Sequence, residues 1–250
     1  MHLILTGATG LVGSGVLHAM LTTPTVSKIS ILSRRPVPMA EGHAKAHVII
    51  HKDYTNYPSE LMQQLRDADG CVWAQGISQN KVGKELKRNR EYIEITHTYP
   101  LLFARALAAS TAPKPVTFIY VSGEGATTSP GRFTPIFGVT KGRTETDLLA
   151  LSKEAGSNLR AISLRPGGVD PTHHKEIAGF YPQRTGIEGI GGLILPVLRT
   201  VYSAMVSPTR DLGRVLTELA MGDGAPLSGR GVEGEGRTVT NVGMRRLAGL

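Results

Sequence analysis

A chain of 250 residues with 40% hydrophobic content can bury one sizeable core, so a single α/β-sized domain is expected, and a single cysteine, Cys71, excludes an intrachain disulfide. The formal charge of +8 raises nucleic-acid binding as a function class, but the cations are scattered. "KVGKELKRNR" (Lys81 to Arg90) is the one dense group and reads as a solvated helix face; with no zinc-finger spacing or aromatic platform beside it, no nucleic-acid partner is expected.

From Met1 the chain runs straight into "HLILTGATG", without a basic leader or a cleavage site, so no secretory signal is expected. This first apolar run leads into "TGATGLVG" and the helical pattern "LVGSGVLHAML". Gly7 permits a tight turn, Gly10 lets the backbone approach a pyrophosphate, and Gly13 allows close packing of helix on strand. Thr9, Leu11 and Val12 share that turn, where a helix N-terminus offers free N–H groups to phosphate. The second run, "KISILS", ends at Ser33, Arg34 and Arg35, where an NAD-specific site would offer a carboxylate to the ribose 2′-hydroxyl. Guanidinium groups suit a 2′-phosphate instead, so NADP(H) is the expected cofactor.

Further short apolar runs follow at "HVIIHK", "DGCVWAQG", "VTFIYVSG" and "LRAISLRPG", with helical segments between most of them. That rhythm predicts a mostly parallel sheet covered on both faces. Cys71, inside "CVWA", reads as a small buried hydrophobe in a reducing compartment, and a cytoplasmic location is expected. The segment from about Lys84 to Ala109 reads as a helix bent near Pro100, because proline brings no backbone donor. Beyond Pro166 the pattern loosens into "GIGGLILPVLRTVYSAMV", which Pro196 and Arg199 break too much to span a bilayer. Leu193 to Val206 reads equally as a substrate lid, a homodimer contact or a partner-docking face. A helix at "TRDLGRVLTELAMG" and a short strand at "RTVTNV" complete the pattern.

Taken together, these motifs resemble the short-chain dehydrogenase/reductase superfamily in its extended, epimerase-like or NmrA-like branch, over nearly the whole chain. The resemblance implies a doubly wound α/β Rossmann sheet of order 3-2-1-4-5-6 in one domain, with residues 166–236 contributing most of the substrate pocket. It also implies that Asp53 and Tyr54 contact the adenine and that Ala74, Gln75 and Gly76 lie beside the cofactor ribose. Pro166, Gly167 and the backbone near Val169 would hold the nicotinamide carboxamide.

The same resemblance places "FGVTK" on the family's YxxxK, so Lys141 would bind the nicotinamide ribose. Phe137 takes the place of the tyrosine that protonates a substrate carbonyl, and general acid help of that kind is worth about 10²–10⁴ in rate. At i and i+4 on a helix, Phe137 and Lys141 still project together. Gly123 and Glu124 stand where a serine or threonine is usual, leaving Ser122 as the nearby hydroxyl, and Glu94 falls near a common asparagine position. Glu124, if buried, is one candidate acid. His173 and His174, after the "RPGG" turn, and Tyr181 are substrate-side candidates, while Tyr120 reads as a core residue. No metal site is expected.

Three function classes follow. The first is an NADP(H)-dependent oxidoreductase acting on a small carbonyl, enone or imine. The second is a lyase, isomerase or cyclase on the same scaffold. The third is a binding protein that senses NADP(H).

Overall fold

The computed structural model describes residues 1–77, 86–110, 114–154, 156–182 and 203–250. Much of the basic run from Lys81 and most of the apolar stretch from Leu193 to Val206 lie outside them.

Six strands follow the apolar runs of the sequence: β1 (His2–Thr6), β2 (Lys28–Ser33), β3 (Ala46–Ile50), β4 (Gly70–Trp73), β5 (Val116–Val121) and β6 (Leu159–Leu164). They pair in parallel in the order β3-β2-β1-β4-β5-β6, with Leu5 opposite Ile31 on one side and Val72 on the other. Parallel neighbours need crossovers, and these are supplied by α1 (Leu11–Thr22), α2 (Ser59–Leu65), α3 (Leu86–Ile93), α4 (Tyr99–Ser110) and α5 (Ile136–Lys153). Because side chains alternate along a strand, Leu3 and Leu5 enter one core with Val16, Leu17 and Met20 of α1. Ile4 enters the other, with Trp73, Phe103 and Leu148. Cys71 is buried in that second layer, where desolvation holds its thiol above the usual range.

The expected bend near Pro100 takes a specific form. Between α3 and α4 the chain makes one wide turn, Glu94–Thr98, closed by the Tyr99 N–H on the Glu94 carbonyl five residues back. Pro100 brings no N–H to the turn, and the Thr96 carbonyl instead accepts the hydroxyls of Tyr120 (2.9 Å) and Thr144 (3.1 Å). Tyr120 is thereby fixed as a core residue, joining α5 and β5 to the bend.

Past β6, short β7 (Gly168–Asp170) pairs in parallel with β8 (Val206–Pro208), and α6 (Thr209–Met221) packs on α1. The chain then extends the main sheet by two further strands, β9 (Val232–Glu233) and β10 (Thr238–Val239), with β10 parallel to β6 and antiparallel to β9. Helix α7 (Asn241–Ala248) follows, with the Thr240 side chain accepting the Gly243 N–H at its start. Among the described residues no helix is long and apolar enough to cross a membrane.

Candidate functional site

A groove runs over the C-terminal ends of the parallel strands, at the switch point where β1 separates β2 from β4. Its two lobes, about 680 and 760 Å³, share Gly10, Ala74, Gln75, Gly76 and Ile77.

The first lobe is built on the turn after β1. Gly7 has φ +72°, and a Cβ there would lie 2.4 Å from the Ala74 carbonyl oxygen. A Cβ on Gly13 would lie 2.0 Å from the Gly7 carbonyl oxygen, so glycine is what brings α1 this close to β1. Gly10 caps α1 without a side chain, and Leu11 and Val12 of its first turn line the second lobe. The first lobe receives Ser33, Arg34 and Arg35 from the end of β2, together with Thr9 and Tyr54. Arg35 donates through its guanidinium to the Thr9 hydroxyl at 3.1 Å and through its backbone N–H to Ser33 Oγ at 3.3 Å, which orients this corner. Among the described lining residues there is no carboxylate.

Asp53 and Tyr54 part company here. Tyr54 lines the lobe, donates its hydroxyl to the Leu32 carbonyl at 3.1 Å, and is pushed up to about 12 by burial. Asp53 is exposed and outside the lining. Its carboxylate accepts the Thr55 hydroxyl and N–H, bonds that hold it below its usual range.

The second lobe is walled by β5, α5 and the loops after β6. Lys141 donates from Nζ to the carbonyls of Ser122 (2.5 Å) and Val121 (3.3 Å), and its Nζ lies 5.7 Å from the Phe137 ring centre. Burial lowers it to about 8, against the opposing pull of Glu145 one turn along. Both Glu145 oxygens are taken by the Arg165 guanidinium, an ion pair buried between α5 and β6. Phe137 lies over the chain at Gly123 and Gly125: Cβ atoms built there would stand 3.4 and 3.3 Å from its ring. The aromatic and the lysine thus share one wall, as their spacing predicts.

Two buried polar atoms in the lining, Ser122 Oγ and Gln75 Nε2, have no protein partner. A groove with glycine-enforced close approach at one end and unpartnered donors at the other fits a dinucleotide.

Pro166, Gly167 and Val169 line the second lobe, and a bond network absent from the sequence reading holds them. The Gly167 N–H donates to Ser207 Oγ (2.9 Å), which donates to Asn241 Oδ1 (2.6 Å). Asn241 also donates from Nδ2 to the Ala204 carbonyl and from its backbone N–H to Glu124 Oε1 at 2.6 Å. Glu124 therefore caps the N-terminus of α7, where a negative charge is favourable. Asn241, Val242, Ala204 and Met205 complete the lining. The signal for this helix start was Thr240 ahead of "NVGMRRLAG", a capping residue before an apolar-periodic stretch.

His173, His174 and Tyr181 line neither lobe. Both histidines face a second cavity of about 320 Å³ with Thr209, Arg210 and Arg245. His174 is buried and uses both ring nitrogens, on Thr209 Oγ1 (3.0 Å) and His18 Nδ1 (2.9 Å). Tyr181 packs half-buried against the core on the α1 side of the sheet. The loop after β7 turns toward α1 and α6, which takes all three from the substrate side expected for them.

Comparison with known proteins agrees with this architecture. The model of the NAD dependent epimerase/dehydratase family matches residues 3–170. Leucinostatins biosynthesis cluster protein T of Purpureocillium lilacinum is 33% identical, covering 98% of this chain and 94% of that protein. Botcinic acid biosynthesis cluster B protein 16 of Botryotinia fuckeliana is 45% identical, covering 53% of this chain and 86% of that protein. Among solved structures, a short-chain dehydrogenase/reductase from Burkholderia thailandensis superposes with TM-score 0.67 at 15% identity, covering 97% of this chain and 91% of that one. MoeE5 in complex with UDP-glucose and NAD gives 0.62 at 15% identity, covering 96% and 75%. The strand order, the glycine turn and the match over β1 to β7 converge on one assignment: the chain belongs to the NAD dependent epimerase/dehydratase family, within the short-chain dehydrogenase/reductase superfamily.

Proposed function

We propose that the protein is an NADP(H)-dependent oxidoreductase acting on a small organic carbonyl, enone or imine, without the usual catalytic tyrosine. The observation that carries this reading is the corner of Ser33, Arg34 and Arg35 in the first lobe, two cations and a hydroxyl with no carboxylate among the described lining residues. A 2′-phosphate there meets guanidinium donors, whereas a 2′-hydroxyl finds no acceptor of the usual kind. The first turn of α1 would receive the pyrophosphate, Lys141 the nicotinamide ribose, and the loop from Pro166 to Val169 the carboxamide. Bound NADPH would supply hydride to an electrophilic carbon in the second lobe. Ser122 Oγ, buried and unpartnered, would orient the acceptor by hydrogen bonding. The two relatives named for biosynthetic clusters support a small organic substrate.

Phe137 favours a second reading, in which NADP(H) is kept as a wall of the pocket for a lyase, isomerase or cyclase. Product formed with no change in nicotinamide absorbance would select it.

The test of the cofactor assignment is a titration of the purified protein with NADPH, NADP⁺ and NADH, followed by nicotinamide fluorescence or heat. NADPH binding at least tenfold tighter than NADH, about 1.4 kcal/mol, is expected. Equal affinities would remove the NADP(H) assignment.

A further inference from the structure

The proposed reduction requires a proton at the substrate oxygen, and Phe137 has none to give. Among the described residues that line the second lobe, two titrate: Glu124 and Lys141. Glu124 is exposed rather than buried, and its carboxylate is committed to the Asn241 N–H at the head of α7. The histidines open onto the other cavity. Tyr120 is enclosed behind the wall with its hydroxyl on the Thr96 carbonyl.

The geometry points to the Lys141 ammonium as the proton donor of the reduction, delivering its proton directly to the substrate's carbonyl oxygen in the second lobe. This assignment rests on the oxidoreductase reading above. An ammonium has three N–H donors, and two of those on Lys141 meet the carbonyls of Val121 and Ser122 at the end of β5. The third is left for the lobe, where the nicotinamide ribose and the acceptor oxygen would share it. Among the described residues no carboxylate pairs with Nζ: Glu145, the nearest acid on its own helix, is held by Arg165 just past β6. The other charged or titratable groups around it are Tyr120 of β5, whose ring centre is 5.9 Å away, and Glu124 of the loop after β5. Apolar and aromatic surroundings make such an amine a far stronger acid than a solvated lysine, and burial brings this one to about 8.

In the step itself, the carbonyl carbon accepts hydride, the C=O π pair moves to oxygen, and the oxygen takes the proton from Nζ. NADPH gives up the two electrons and leaves as NADP⁺, and the neutral amine regains its proton from water in the open lobe.

Two measurements test the assignment. In the protein without cofactor, trace acetylation of Lys141 as a function of pH, followed by peptide mass, reads the amine directly. Half-maximal reactivity near pH 8 is expected, and a midpoint above 10 would overturn the role. The second is Lys141→Arg, which keeps the cation but gives up no proton in this range, assayed with 4-nitrobenzaldehyde and NADPH. Because Lys141 would also meet the ribose, NADPH affinity is expected to fall as well, by less than tenfold, while turnover at saturating NADPH falls at least a hundredfold and the parent's decline above about pH 8 is abolished. A variant that turns over as fast as the parent, with the same pH profile, overturns the donor role alone. A parent protein that binds NADPH yet oxidises none with a panel of aldehydes, ketones and enones overturns the oxidoreductase reading, and the donor role with it.

Discussion

The two ends of the groove differ in how far they keep the family's residue types. Around the turn after β1, glycine stands wherever a Cβ would strike the neighbouring backbone, and the end of β2 offers the polar set of Ser33, Arg34 and Arg35. Around α5, the resemblance puts Phe137 where the superfamily's tyrosine would stand and Gly123 where a hydroxyl is usual, beside Lys141. The turn at the cofactor end is constrained by sterics, since a side chain on Gly7 or Gly13 would strike the neighbouring backbone. On the proposed reading the other end is constrained by one proton, which a different group can supply without disturbing the fold. The contrast explains why the resemblance is strong for binding and weak for chemistry.

Removing the charge at the cofactor end should give the largest effect on cofactor binding. Arg34→Ala with Arg35→Ala is expected to weaken NADPH by tenfold or more, at least about 1.4 kcal/mol, while NADH changes little. Both arginines are exposed, so the fold has little reason to respond. Equal losses for the two cofactors would break the comparison, since the corner would then be binding something common to both.

Restoring the reacting end is the converse experiment. A Cβ on Gly123 would stand 3.4 Å from the Phe137 ring and 3.7 Å from Lys141 Nζ, ordinary contact distances, so a serine fits. Gly123→Ser with Phe137→Tyr returns both hydroxyls to the wall beside Lys141. Turnover of 4-nitrobenzaldehyde should rise about tenfold, less than the ~10²–10⁴ a new general acid can bring, because Lys141 already donates. NADPH affinity should stay within threefold. A rise in affinity without a rise in turnover would show that the wall governs binding and not proton delivery.

The sequence pattern makes the first six strands and their crossovers legible because all but the edge strand β3 are buried on both faces and most are joined by helices long enough to return the chain. Gly7, Gly10 and Gly13 are legible for the same local reason: their meaning lies within one turn. Asn241 is different. Its partner Glu124 lies 117 residues earlier, and neither residue's surroundings suggest the other. β10 falls within the short strand expected at "RTVTNV" and pairs with β6, whereas its two-residue partner β9 is held by β10 and has no apolar run of its own. Pro100 correctly marks a bend, but the wide turn and the two hydroxyls that satisfy Thr96 come from tertiary packing. His174 illustrates the limit most clearly, since a histidine in a loop after "RPGG" gives no local sign that its ring will meet His18, 156 residues away.

That histidine pair carries the smallest of the expected effects, and one unrelated to the groove. Burial, the neighbouring His18 and Arg210 lower His174 to about 4, with Glu176 and Asp211 opposing; burial also lowers His18. An unfolded histidine titrates near 6.5 (approximately its ordinary value), so between there and about pH 4 the unfolded chain takes up a proton that the folded one refuses. Stability is therefore complete above the upper limit and falls as pH drops through this window, by at most about 1.4 kcal/mol per pH unit for each such histidine. Urea midpoints measured between pH 7 and 5 should decline for the parent. They should decline less for His174→Asn, which can still meet the Thr209 hydroxyl but cannot titrate. His2 and His51 are also lowered by burial and remain in the variant, so the difference between the two slopes is the quantity that reports on this pair. Parallel slopes would place the acid sensitivity at those other histidines and leave the contact between α1 and the loop after β7 indifferent to pH.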